Sequence, residues 1–204
     1  MQPQSGYRYI SSLEMLTEFC QRARLAGSFA IDTEFVRRKT YFANLGLVQL
    51  NVDGETFIID PLIDIDLTAL WQLIADPDVV TVLHAGGEDI ELFYHQSNGQ
   101  KPRAVFDTQI AAGFIGMGSS LGYASLVEQL FDGVTLDKSQ SRTDWLKRPL
   151  SEEQLTYAAA DVSYLNSMYP WLVEQVAQAH VADIVVEESQ LQVSKRTQVI
   201  PRHL

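Results

Sequence analysis

The sequence predicts an α/β domain built on a mixed sheet, and three observations carry that prediction. Strand-like runs crowd the first third of the chain and include the hairpin signal Asp53-Gly54. Apolar strand-like segments then alternate with segments of helical periodicity. Two boxes of the Ser-x-x-Glu/Gln type, at Ser11–Glu14 and Ser151–Gln154, mark helix starts. A hairpin followed by strand–helix alternation calls for antiparallel and parallel pairing within one sheet.

Taken in order, Ser11 and Glu14 read as a capping box, with Ile10 and Met15 as a hydrophobic staple. Leu13, Leu16, Phe19, Cys20 and Ala23 then keep helical spacing to about residue 25. Residues 28–36 and 45–52 are β-rich, and Asp53-Gly54 turns the chain into a third strand over 56–60. A helix over 67–75 precedes the apolar strand 79–83. Beyond it a helix is expected at 87–96, a short strand at 104–106, and helices at 108–115 and 121–131. The second capping box opens a long helix toward Tyr169, and Pro170 should break or kink it because proline lacks the backbone donor. From about Asp183 the periodicity weakens. We therefore expect one domain over residues 1–180, with 181–204 a helical tail or the start of a truncated linker.

A length of 204 residues suits one domain with a sizeable core. The start shows no basic segment followed by an apolar one, and no apolar run approaches the roughly 20 residues that span a bilayer, so a cytoplasmic protein without a membrane partner is expected. The single cysteine, Cys20, lies on the apolar side of its helix and reads as a buried, inert thiol. A net charge of −11 argues against broad binding to nucleic acid through a basic face. Seven of the 15 basic residues are nevertheless grouped: Arg37, Arg38 and Lys39 in one segment, Lys138, Arg142, Lys147 and Arg148 in another. Such patches suit a short phosphate backbone; the alternative is solvated surface charge.

Three motifs carry chemistry. In Phe29-Ala30-Ile31-Asp32-Thr33-Glu34-Phe35 an apolar strand holds two carboxylates. Strand side chains alternate, so Asp32 and Glu34 share a face about 7 Å apart, a costly pairing unless a cation neutralises it. Oxygen donors without a His/Cys cluster favour Mg²⁺ or Mn²⁺ over zinc. Next, Val82 to Asp89 ends a strand, turns through Gly86-Gly87, and places Asp89 in a first helical turn, where helix-dipole stabilisation is the plainer explanation. Finally, the spacing of four in Tyr157-Ala158-Ala159-Ala160-Asp161 puts tyrosine and aspartate on one helical face.

In this order, Asp-Thr-Glu, His-Ala-x-x-x-Asp and Tyr-x-x-x-Asp resemble the three exonuclease motifs of the DEDD superfamily, tyrosine subtype. The segments Asp32-Thr33-Glu34-Phe35-Val36-Arg37, Leu45 to Leu50, Ile59-Asp60-Pro61-Leu62, Phe106 to Gln109, Leu136 to Ser139, Arg142-Thr143-Asp144-Trp145 and Arg148-Pro149-Leu150 are similar to the ribonuclease D family. The resemblance implies a ribonuclease H-like fold, with a mixed five-stranded sheet flanked by helices. It further implies a 3′→5′ exoribonuclease that acts on RNA 3′ ends, notably tRNA precursors, with two divalent metal ions. Asp32, Glu34 and Asp161 would hold the first ion, Asp32 would bridge to the second, and Asp89 would act through water. Tyr157 would orient the attacking water and Phe35 would stack on the terminal base. Arg37, Lys138 and Arg142 are the candidates for phosphate contact, and His84 for a hydrogen bond to substrate. His84, Gln49 and Asp107 would shape the pocket or serve the fold. The family continues into helical C-terminal (HRDC) domains and this sequence stops before them, as expected of a truncated or minimal relative. The competing expectations are a proofreading-type DNA exonuclease and a non-catalytic RNA-binding domain.

Overall fold

The computed structural model describes residues 6–37, 42–137 and 139–198. A two-residue strand β1 (Arg8–Tyr9) leads into α1 (Leu13–Ala26), followed by β2 (Ser28–Val36), β3 (Asn44–Val52) and β4 (Glu55–Ile59). Then come α2 (Thr68–Ile74), β5 (Val80–Leu83), α3 (Gly87–Gln96), β6 (Val105–Asp107) and α4 (Thr108–Phe114). The rest is helical, with α5 (Tyr123–Leu130), α6 (Glu152–Gln178) and α7 (Ala182–Arg196).

The strands lie in the order β1-β4-β3-β2-β5-β6. β2, β3 and β4 are antiparallel neighbours, whereas β5 and β6 join beyond β2 in parallel. This is the predicted mixed sheet with one strand more than the five expected. The addition is β1, which pairs with β4 only at Arg8–Phe57 and Tyr9–Ile58 and is too short to show alternation in the sequence. The hairpin turns at Asp53 and Gly54, both in the left-handed region at φ 53° and 78°, as a tight two-residue turn requires.

Alternation along the strands divides the core in two. Phe29, Ile31, Val48, Leu50 and Ile59 pack beneath α1, α2 and α3, against Leu16, Phe19, Leu70 and Phe93. On the other face Ala30, Val82 and Phe106 meet Val162, Leu165 and Met168 of α6, while Leu47 and Ile58 meet Trp145, Leu155 and Ala158. Cys20 is buried as expected, and burial pushes its thiol up to about 11. Among the described residues no helix is long and apolar enough to cross a membrane.

Two helix boundaries depart from expectation. α1 is capped by Ser12, whose hydroxyl accepts from the Met15 amide, and not by Ser11. The extended backbone of β1 runs one residue further than its ladder, with the Ile10 amide donating to Ile58 O at 2.9 Å, and this delays the helix start. Pro170 does not end α6, which continues to Gln178. A proline inside a helix costs about 3 kcal/mol. Buried Leu172 and Val176 beyond it, at about 1.5–3 kcal/mol each, offset that loss. The box at Ser151 and Gln154 forms in full at the start of the same helix. α7 lies against β6, α3 and α4 and buries Val185, Ser189 and Val193.

Candidate active site

The site grows from a mismatch in strand length. β5 pairs with β2 only over residues 28–30, so from Asp32 onward that edge of β2 is free of β5. On the adjoining face α6 passes close above, through the small buried Ala158 and Ala159. The turn from Tyr157 to Asp161 thereby reaches the carboxylates of β2. One carboxylate oxygen each from Asp32, Glu34 and Asp161 lie within 4.8 Å of one another. The donor set is all hard oxygen, which fits a divalent cation of the Mg²⁺ or Mn²⁺ class.

Asp89 reaches this region from the other side. It sits in the first turn of α3 and accepts a hydrogen bond from the hydroxyl of Thr33, the residue between Asp32 and Glu34. The loop that delivers it is latched by Asp107, whose buried carboxylate accepts from the amides of Ala85 (3.0 Å), Gly86 (3.1 Å) and Gln109 (2.9 Å). Ala85 is left-handed at φ 52°, a strained conformation for a residue with a Cβ, and these bonds hold it there. At Gly86 a Cβ would lie 2.4 Å from the buried Leu83 side chain, which would have to shift to admit a larger residue. Asp107 therefore serves the loop, not the cavity.

The electrostatics follow from crowding four acids in a poorly solvated place. Burial, then the charges of Asp89, Asp161 and Glu34, pushes Asp32 well above the usual carboxylate range. Burial with the charges of Asp161 and Asp89 takes Glu34 up to about 9. Asp161 is pushed up to about 7 by burial, against a hydrogen bond from Tyr157 that favours its charged form. Asp89 rises to about 6 by burial, with the Thr33 bond opposing. Burial and the nearby Asp161 carboxylate raise Tyr157, so it remains a phenol. Such a cluster is at rest only when protonated or when a cation supplies positive charge.

A cavity of about 250 Å³ opens onto the cluster, lined by Asp32, Tyr157, Asp161, His84 and Tyr123, with Asp137 and Ser141 from the α5–α6 loop. His84 is engaged at both nitrogens, Nδ1 lying 2.9 Å from Thr108 Oγ1 and Nε2 3.0 Å from Leu121 O, and its burial lowers its pKa. It braces the wall of the cavity. Tyr123 was not foreseen, because an aromatic residue opening a helix carries no distinctive signal. Its hydroxyl donates to Ala160 O (2.9 Å) and accepts from the Tyr164 amide (3.3 Å), which ties α5 to α6 beside Asp161.

Other candidates lie elsewhere. Phe35 packs against the core beneath α1–α3 and is not among the cavity-lining residues. Arg37 is flanked by Glu88 and Glu91 of α3, at 3.7 and 3.6 Å. Arg142 is exposed on the α5–α6 loop, next to the cavity-lining Ser141. Lys138, Arg38 and Lys39 lie outside the described residues. Gln49 is fully buried directly opposite Asp32 on β3, with neither amide atom hydrogen-bonded among the described residues.

A family model described as 3′-5′ exonuclease matches residues 7–177. Ribonuclease D of Shewanella sp. (strain ANA-3) is 44% identical over 173 residues, 84% of this chain and 44% of that protein. Ribonuclease D of Escherichia coli (strain K12) is 43% identical over 196 residues, 96% of this chain and 52% of that protein. The crystal structure of Escherichia coli RNase D, an exoribonuclease involved in structured RNA processing, superimposes with a TM-score of 0.88 at 42% identity, covering 96% of this chain and 52% of that one. The chain thus spans about half the length of the curated relatives it matches.

Proposed function

Because the chain belongs to the 3′-5′ exonuclease family, we propose that it is a metal-dependent 3′→5′ exoribonuclease that trims RNA 3′ ends and releases nucleoside 5′-monophosphates. One observation carries the proposal: three carboxylates from two elements converge within 4.8 Å, beside a cavity that also holds Tyr157. The choice of RNA over DNA is supported by the likeness to ribonuclease D over most of the chain.

When bound, two divalent ions (Mg²⁺ or Mn²⁺) supply an activated water and stabilise the departing 3′ oxygen. Asp32, Glu34 and Asp161 are the residues that would hold one ion, and Asp32 and Asp89 are those that would serve the second. Tyr157 orients the attacking water through its hydroxyl, which both donates and accepts. His84 and Tyr123 keep the wall in place while the terminal nucleotide occupies the cavity. Arg142, on the loop beside the opening, meets the phosphate backbone. The physiological class of substrate is structured RNA with a 3′ extension, tRNA precursors foremost.

The deciding experiment digests a 3′-extended tRNA precursor and matched short RNA and DNA oligonucleotides, with Mg²⁺, with Mn²⁺ and with chelator. The expected result is stepwise shortening of RNA from its 3′ end, abolished by chelator. Faster digestion of DNA would reassign the substrate, and no turnover of any 3′-hydroxyl strand would overturn the proposal.

A further inference from the structure

Arg148 stands in the second basic segment, yet its guanidinium does not face outward. All five of its N–H groups are engaged. Nε and Nη2 grip both oxygens of Asp60 at 2.7 Å, Nη2 also donates to Gly46 O at 2.7 Å, and Nη1 donates to Trp145 O (2.8 Å) and Lys147 O (2.9 Å). A planar five-donor fork suits this arrangement and an ammonium does not. Asp60 follows β4 and Gly46 lies in β3, so the fork fastens the end of the α5–α6 loop to two strands.

The fastened residue is Trp145. Its backbone rides directly on Gly46, where a Cβ would come within 2.8 Å of Trp145 O and 3.2 Å of Glu34 O. The side chain is 1% exposed, unusual for a loop residue, and packs with Leu47, Ile58 and Ala158. Its indole N–H has no hydrogen-bond partner among the described residues, so packing and the backbone clamp alone orient the ring. The Trp145 ring lies against that of Tyr157, with centroids 6.1 Å apart and planes at 37°. Tyr157 is only partly buried, and Trp145 is the firm surface behind it.

We propose that Arg148 is a positioning residue of the hydrolytic site, holding Tyr157 in place through Trp145 by clamping the loop to Gly46 and Asp60. The proposal rests on the role given above to Tyr157. The first turns of α6 pack on Trp145 through Leu155 and Ala158, but the helix has its own capping box, and beyond Asp161 it buries Val162, Leu165 and Met168 in a part of the core that Trp145 does not enter. Loosening the clamp therefore frees Trp145 without dissolving the helix that carries Tyr157 and Asp161.

The test is a double-mutant cycle on short RNA, with Mn²⁺ affinity measured by calorimetry. Arg148→Lys is expected to lower kcat by about 10- to 100-fold, while KM and Mn²⁺ affinity stay within about twofold of the starting protein. In a Tyr157→Phe background the same replacement should change kcat by no more than about twofold, because its target is already gone. Trp145→Phe serves as the second variant, independent of the fork, and should show the same non-additivity. Equal losses in both backgrounds, or lost Mn²⁺ binding, would overturn the proposal in favour of general destabilisation. An unchanged kcat in Arg148→Lys beside a slow Tyr157→Phe enzyme would overturn the clamp alone. A Tyr157→Phe enzyme at full speed would instead remove the role of Tyr157, and the clamp's role with it.

Discussion

The hydroxyl of Thr33 donates a hydrogen bond to the carboxylate of Asp89. Thr33 stands between Asp32 and Glu34 on β2, and its side chain leaves the strand on the opposite face. The four acids are thus not one ring of equals. Asp32, Glu34 and Asp161 gather on the α6 face, whereas Asp89 is tethered from the α3 side, across the edge that β5 leaves open. The tether favours the charged form of Asp89, and burial opposes it.

Replacing Thr33 with valine keeps the shape and removes the donor. Asp89, already pushed up to about 6, should rise further. A hydrogen bond to a charged group contributes about 1.5–3 kcal/mol, so the acid limb of the pH–rate profile should move up by about one pH unit or more. Mn²⁺ binding at neutral pH should weaken, because a ligand must shed its proton to bind. A profile that overlays the unmodified enzyme would show that Asp89 does not depend on this bond.

The raised acids also set how the metal-free protein responds to pH. Unfolded carboxyls titrate near about 4, whereas Asp89, Asp161 and Glu34 titrate at about 6, 7 and 9 when folded. Between those limits the folded state binds more protons than the unfolded one, so stability falls as pH rises. Scanning calorimetry in chelator should show Tm declining from about pH 5 to about pH 9. Saturating Mn²⁺ should reverse that trend, since the cation takes the place of the protons. A flat metal-free curve would mean that the cluster is better solvated than its burial indicates.

Much of this site was legible because it depends on short-range periodicity. A period of two puts Asp32 and Glu34 on one face, a spacing of four joins Tyr157 to Asp161, and the run 28–36 forms β2 with the predicted bounds. At Phe35 the alternation is interrupted, because the register of β2 on β3 shifts between Glu34 and Phe35, and the partly buried ring packs against the core beneath α1–α3. What escaped is relational. That Asp89 meets Thr33 depends on how far β5 runs beside β2, and a single segment holds no trace of that length difference. Arg148 looked like one more cation in a basic group, because sequence gives a charge no direction. Its partners lie 88 and 102 residues away, at Asp60 and Gly46.

Asp161→Asn separates the cluster's chemistry from its strain. The amide keeps the size and can still accept from Tyr157, but it removes the charge that weighs, after burial, most on Glu34. Activity should fall on the order of 10³-fold, since a metal-holding carboxylate is lost. The metal-free protein should become more stable, by about 2–4 °C in Tm for each kcal/mol of repulsion relieved. Loss of activity together with a raised Tm distinguishes a strained metal site from a damaged fold. A lowered Tm in chelator would contradict this account of the cluster.

The two described cations once paired as phosphate contacts should separate in a salt titration. Arg37 already lies between Glu88 and Glu91, whereas Arg142 is exposed beside the cavity-lining Ser141. Each phosphate contact on a single strand contributes about −0.7 to the slope of log K against log salt. Arg142→Ala should make the slope for a short RNA shallower by about that amount and weaken binding most at low salt. Arg37→Ala should leave the slope unchanged, because its guanidinium faces carboxylates that would repel a phosphate backbone. If Arg37→Ala alone flattens the slope, the strand runs along α3 instead of beneath the α5–α6 loop, and the path assigned to the RNA is wrong.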